Sequence, residues 1–249
     1  MAYDKQLEPD FDDFDAPERD GRPAAEAGLT GEAARAQSAE LNALAATDHL
    51  PEKAVESSGA GGDPEADAAR WADVERLLSS SPLGLAALER KGEADVRWSK
   101  STRAFDPAAN ALTLDADSAA DALALWCVQE MNFARRRRAG RHIEAGGMTR
   151  DAYISARLME QVEGACLSIE AKAQMQAAGH VVETECTLED QYNRAYAEAE
   201  AAGASAHDCR EAARARVQQG FHQGEVVTGG AGQSYPEYYG EWWDAVHAE

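Results

Sequence analysis

Leu125 to Arg138 reads LWCVQEMNFARRRR, and whether this stretch is helix or strand decides the architecture. Leu123, Trp126, Cys127, Glu130, Phe133 and Ala134 recur at three- and four-residue spacing, which gathers them on one broad stripe of an amphipathic helix. The helix is predicted to open at Asp117 or Ser118, to carry Asp121 in its first turn and to stop at Gly140. Arg135, Arg136, Arg137 and Arg138 then fall in its last turn, where the helix dipole favours a cation by about 0.3–1 kcal/mol. The same four arginines are a candidate interaction patch for an acidic partner. Glu130 falls on the stripe that faces inward, where an ionised carboxylate needs a partner.

Before this helix, Val96 and Trp98 alternate with polar neighbours, Asp106 to Asn110 supply turn residues, and Ala111 to Leu114 form a short β run, so two or three short strands are expected. Further upstream, Trp71, Val74 and Leu78 share one face of a helix that begins near Asp67 and ends at Ser-Ser-Ser-Pro. A second helix runs from Leu83 to Lys91 and stops at Gly92. Downstream, a long helix opens at Thr149 and ends at Gly179. Ile154, Leu158, Val162, Ala165, Ile169 and Ala173 form its apolar stripe, with Glu160, Glu163 and Glu170 on an adjacent face. Thr187-x-x-Asp190 and Ser205-x-x-Asp208 have the pattern of capping boxes and start two more helices, ending near Gly203 and Gly220. A last helix sets Tyr239, Trp242, Trp243 and Val246 on one side. The fold class is therefore α+β, mainly α-helical, with a few short strands before the central helix.

Residues 1–65 contain sixteen Asp or Glu and five Lys or Arg, and so carry −11 of the total charge of −21. With almost no aliphatic runs, this segment buries too little apolar surface to offset its ordering entropy and reads as a disordered acidic arm. Gly31 to Ala46 is its one weakly amphipathic pocket. The folded domain is expected over 66–249. A charge of −21 opposes phosphate backbones and anionic membranes, so the partner expected is a protein, with no nucleic acid and no membrane. Cys127, Cys166, Cys186 and Cys209 are scattered, without a Cys-x-x-Cys pair or secretory leader, as reduced thiols in a cytoplasmic protein would be. No apolar run approaches the roughly 18 residues that span a bilayer.

A helical zinc site needs two imidazoles four residues apart, with a glutamate beside the first to take a proton from zinc-bound water. On that template Gln129 and Phe133 stand at the histidine positions and Glu130 at the base. A glutamine amide is a poor zinc ligand and a phenyl ring is none. The six histidines show no paired spacing elsewhere, Gly229 to Gln233 lacks the Lys-Ser/Thr of a phosphate loop, and no Gly-x-Ser-x-Gly elbow is present. Cys127 beside His142 is a conceivable nucleophile, although a cysteine on a buried stripe is usually inert packing.

The order AFDPAANALTLDAD followed directly by the helix of Gln129 to Phe133 resembles a bacterial family of zincin-like metallopeptidases of uncharacterised function. RLMEQVEGACLSIEAKAQ (Arg157 to Gln174) is similar to the family's next helix, whose Glu-Ala-Asp-Ala type motif supplies a third metal ligand; Glu163 to Cys166 is the closest match. The resemblance covers about Asp95 to Ala177. It implies a zincin-like scaffold with Glu130 as general base and Glu163 as third ligand, but with Gln129 and Phe133 in place of both histidines. The expectation is a protein without cofactor, acting by interaction. Its rival is an active metal-dependent peptidase or hydrolase that uses Glu130 as base and binds zinc.

Overall fold

The computed structural model describes residues 64–100, 103–106, 109–140, 143–228 and 232–248. The expected acidic arm lies outside these residues apart from Pro64 and Glu65, which already belong to the first helix, and the segment Gly31 to Ala46 lies outside them too. Among the described residues the elements are α1 (Pro64–Ser79), α2 (Pro82–Lys91), β1 (Asp95–Ser99), β2 (Ala104–Asp106), β3 (Ala111–Asp115), α3 (Ala120–Arg138), α4 (Arg150–Ala177), α5 (Glu189–Ala201), α6 (Ala206–His222) and α7 (Tyr235–Val246). This is the mainly helical α+β architecture expected.

The corner between α1 and α2 is built by three local devices. Ser81 caps α2 by accepting from the Gly84 N–H at 3.0 Å, and Pro82 stands where a helix has no use for an N–H. Gly84 is obligatory, because a Cβ there would lie 2.1 Å from the Leu78 carbonyl oxygen. The three strands form a sheet of order β1-β3-β2, with β1 parallel and β2 antiparallel to the middle strand. Phe105 pairs with Leu112 across the antiparallel ladder, and both are buried together with Leu114.

The central helix α3 starts later than its sequence suggests. Ser118 donates its hydroxyl to Asp115 Oδ2 at 2.8 Å, and the Asp117 N–H donates to Asp115 Oδ1 at 3.0 Å. Both residues belong to a turn closing β3, so neither caps the helix and Ala119 takes the N-cap position without a side-chain bond. Asp121 reaches across instead, accepting from the Glu183 and Thr184 N–H groups at 2.9 Å each. Burial works to raise its carboxyl pKa, but the donors from Thr184, Glu183 and Ala122 outweigh it and hold the group below its ordinary value.

Helix α4 has the expected ends: Thr149 accepts from the Ala152 N–H at 3.3 Å, and Gly179 follows with φ 92°. Its burial is wider than one stripe. Leu158, Val162, Ala165 and Ile169 are buried as expected, Ile154 is half-buried, and Ala173 is exposed; every residue from Glu160 to Ile169 is buried. The cause is position, since α4 packs on α2 and α3 and also on α6 and α7, leaving no solvent face along its middle.

Two other expectations are corrected. No capping box forms at Thr187 and Asp190: α5 begins at Glu189, with Leu188 in the left-handed region at φ 59°. Glu189 accepts from the Cys186 N–H at 2.9 Å and the Lys172 ammonium at 2.8 Å, tying the helix start back to α4. Gly220 does not end α6, which continues to His222; a Cβ at 220 would come within 2.7 Å of Leu188 Cδ1, so the glycine admits α5's entry instead. Ser205 does cap α6, accepting from the Asp208 N–H at 3.2 Å. A full capping box of Ser234 and Glu237, not singled out from sequence, starts α7. Tyr239 is buried, while Trp242, Trp243 and Val246 are half-buried, and Trp243 Nε1 donates to the Met148 carbonyl at 3.2 Å. Among the described residues no helix is long and apolar enough to cross a membrane.

Gly84 and Gly146 offer a controlled comparison. Gly84→Ala should destabilise the domain by about 1–3 kcal/mol or more, because backbone must move to admit the methyl. Gly146→Ala, with nothing within 4 Å of the added carbon, should be neutral or stabilise by up to about 1 kcal/mol. Thermal unfolding of both variants reads the difference.

Candidate functional site

Of the residues that the sequence singled out, the face shared by α3 and α4 holds Gln129, Arg136 and Glu163. Leu125, Gln129 and Arg136 lie at helical spacing and all meet α4. The Ser168 hydroxyl donates to the Leu125 carbonyl at 3.2 Å. Gln129 lies over Gly164, where a Cβ would stand 2.7 Å from its Cγ, so the glycine sets how closely the helices approach. Phe133, one turn after Gln129, is buried. Gln129 thus faces the helix that carries Glu163.

Glu163 is held by charge. Arg136 donates from its guanidinium to Glu163 Oε2 and approaches Glu160 Oε1 at 3.7 Å. Glu160 Oε2 accepts from Arg157 at 2.7 Å, the Arg157 guanidinium lies 5.0 Å from the Tyr239 ring centre, and the Tyr239 hydroxyl accepts from Gln161 at 2.8 Å. Glu160, Glu163 and Arg157 are buried. Two arginines and two glutamates therefore form a charge-balanced cluster that links α3, α4 and α7. Of its members only Arg136 and Glu163 were singled out by sequence as site residues; the i,i+3 spacing of Arg157 and Glu160 is the one local signal for the rest.

Glu130 is elsewhere. It is half-buried, about 100° around α3 from Gln129, and its charge acts on Cys127. Burial, reinforced by Glu130, pushes the Cys127 thiol up to about 12, so this cysteine is protonated packing and not a nucleophile. His142, its conceivable partner, lies outside the described residues. The side chains at the ligand positions do not fit zinc: Gln129 and Phe133 lack imidazole nitrogen, and the Glu163 carboxylate is engaged by Arg136. Among the described residues no group of three or more His, Cys, Asp or Glu is placed to hold a metal ion.

The arginine run does not present one uniform surface. Arg136 points into the cluster, and Arg135 donates to the buried Asn132 Oδ1 at 3.5 Å. Arg138 is exposed, donating to the Arg90 carbonyl at 2.6 Å and to Asn110 Oδ1 at 3.3 Å while lying 5.5 Å from the Phe105 ring centre. Arg137 is half-buried.

A second polar group sits between α4, α5 and α6. The buried Tyr192 donates its hydroxyl to Glu170 Oε1 at 2.9 Å. Burial raises the Glu170 carboxyl pKa, and the opposing pull of Tyr192, Arg210 and Arg214 does not restore it. Compared with protein-family models, curated proteins and solved structures, the chain matches none of them.

Both groups yield measurements. Glu163→Gln removes the charge that balances Arg136 and should cost about 1–3 kcal/mol, less than a fully buried pair because the Arg136 side chain keeps 22% exposure; urea unfolding reads it. For Glu170 the folded-state pKa lies above the unfolded one, so the native state holds the proton more tightly and stability falls as pH rises through the folded pKa. Glu170→Gln should therefore melt higher than wild type at pH well above the carboxylate range, with the gap closing as pH falls toward the ordinary glutamate range.

Proposed function

We propose that the chain is a non-catalytic interaction protein on a zincin-like helical scaffold whose zinc-binding histidines have been lost. The observation that carries this reading is the fate of the third ligand position: Glu163, beside the face where Gln129 meets Gly164, is bound into an ion pair with Arg136. A carboxylate serving a metal needs its lone pairs free, and an arginine beside it competes for them. In this reading Glu163 and Arg136 close a former site and hold two helices together. The protein is cytoplasmic, its partner is a protein, and Arg138 is the exposed member of the Arg135 to Arg138 run available to an acidic surface. The rival is a metal-dependent hydrolase with Glu130 as general base. Glu130 is turned about 100° from the side chain that meets Gly164.

Restoring the ligands tests the scaffold. Wild-type protein purified without a histidine tag should contain no stoichiometric zinc. The triple variant Gln129→His, Phe133→His, Arg136→Leu restores both imidazoles and releases Glu163. It should take up zinc and melt higher in excess metal, because a ligand bound to the native state stabilises it. One zinc per wild-type chain after mild chelation would overturn the loss of the site. A folded triple variant with neither uptake nor thermal shift would overturn the zincin-like scaffold.

A further inference from the structure

An open groove of about 440 Å³ runs between α1 and β1, walled by Ala68 and Trp71 on the helix and by Val96, Arg97 and Trp98 on the strand. Among the described residues β1 is an edge strand, paired on one side only with β3. The Asp95 N–H donates to the Asn110 carbonyl, and the Ser99 carbonyl accepts from the Ala116 N–H. Backbone groups of alternate residues point to opposite edges, so those of Val96 and Trp98, two residues that line the groove, point away from β3. An unpaired edge is a template for one more strand.

The groove is lined with aromatic surface and rimmed by cations. The Arg70 guanidinium lies 5.9 Å from the Trp98 ring centre, and the Lys91 ammonium lies 5.2 Å from that of Trp71. Arg97 stands on the strand itself with its side chain 56% exposed. Asp67 and Asp95 approach Arg70 and Arg97 only at 3.5 and 4.0 Å, and such exposed pairs contribute little. Arg70, Lys91 and Arg97 thus set three cations at this rim beside the acids Asp67 and Asp95, on a chain of net charge −21. We infer that the α1–β1 groove binds an extended acidic segment of a partner protein, which adds as a strand to the outer edge of β1 and sets alternate apolar side chains against Trp71 and Trp98. Main-chain bonds to Val96 and Trp98 supply affinity, the tryptophans accept the apolar residues, Arg97 on the other face of the strand selects for acids in the alternate positions, and Arg70 and Lys91 at the rim add to the attraction for an acidic chain. This assignment stands apart from the zincin-like reading, since the groove shares no residue with the α3–α4 face.

Titration of the full-length chain with a fluorescein-labelled peptide of alternating glutamate and valine, followed by anisotropy at low and high salt, tests it. Binding should weaken with salt. Arg70→Glu combined with Arg97→Glu should reduce affinity by at least about tenfold, as should N-methylation of alternate peptide amides. Val96→Pro should do the same with the fold retained, because that N–H faces away from β3 and proline is tolerated on such an edge. If that variant fails to fold, the charge-reversal pair and the N-methylated peptide carry the test. Equal binding of a lysine-valine peptide, equal binding of the N-methylated peptide, or no binding at all would overturn the assignment. Sedimentation showing a dimer that the charge-reversal pair dissolves would give the edge to a second copy of this chain and overturn it too.

Discussion

Helix α4 is enclosed by its neighbours along its middle, and the rest of the molecule is arranged around that constraint. An enclosed helix cannot keep a polar stripe in water, yet this one carries Arg157, Glu160, Gln161, Glu163, Ser168 and Lys172 among its buried residues. Each charge removed from water costs several kcal/mol unless it is paired and hydrogen-bonded. The solution is local neutrality: Arg136 and Arg157 against Glu160 and Glu163, and Lys172 against Glu189. These pairs need Arg136 from α3 and Glu189 from α5, so satisfying α4 also fixes where those helices sit. Such a cluster need not raise total stability, because apolar residues of the same volume can do as well; removing one member is what costs most.

Close approach is the complementary requirement. Gly164 lets Gln129 lie against α4, Gly84 lets α2 turn under the end of α1, and Gly220 admits Leu188 to α6. At each place a side chain would push apart two elements whose polar groups must meet at hydrogen-bond distance. Packing and charge pairing therefore constrain one another: the Arg136–Glu163 contact requires α3 near α4, and the absent Cβ at Gly164 permits it.

The functional reading follows from where polar groups are satisfied inside and where they are left outward. At the α3–α4 face Glu163 is already bound to an arginine, and Cys127 is held protonated by burial. At the outer edge of β1, the backbone of Val96 and Trp98 points away from β3 beside two cation-capped indoles. Cations over aromatic rings are prepositioned with little further loss of side-chain freedom, which suits a surface that recognises acidic chain.

The sequence by itself determined most element identities and several ends. The 3.6-residue recurrence specified α3 and α4, Gly92 and Gly179 marked helix ends through backbone conformations that other residues rarely adopt, and Ser205 marked a start. Period and capping chemistry are local, so one chain segment suffices to display them. The same local signals misled where a side chain found a distant or different partner. Ser118 closed the β3 turn, Asp121 left its own helix for residues 183 and 184, and Glu189 displaced the box expected at Thr187. Only the tertiary structure decided that β3 takes the middle of the sheet between β1 and β2, and that Glu163 belongs to Arg136. Each depends on which of several equally charged or equally apolar residues, far apart in the chain, is brought within a few ångströms by the packing of α4, and no spacing in the sequence encodes that distance.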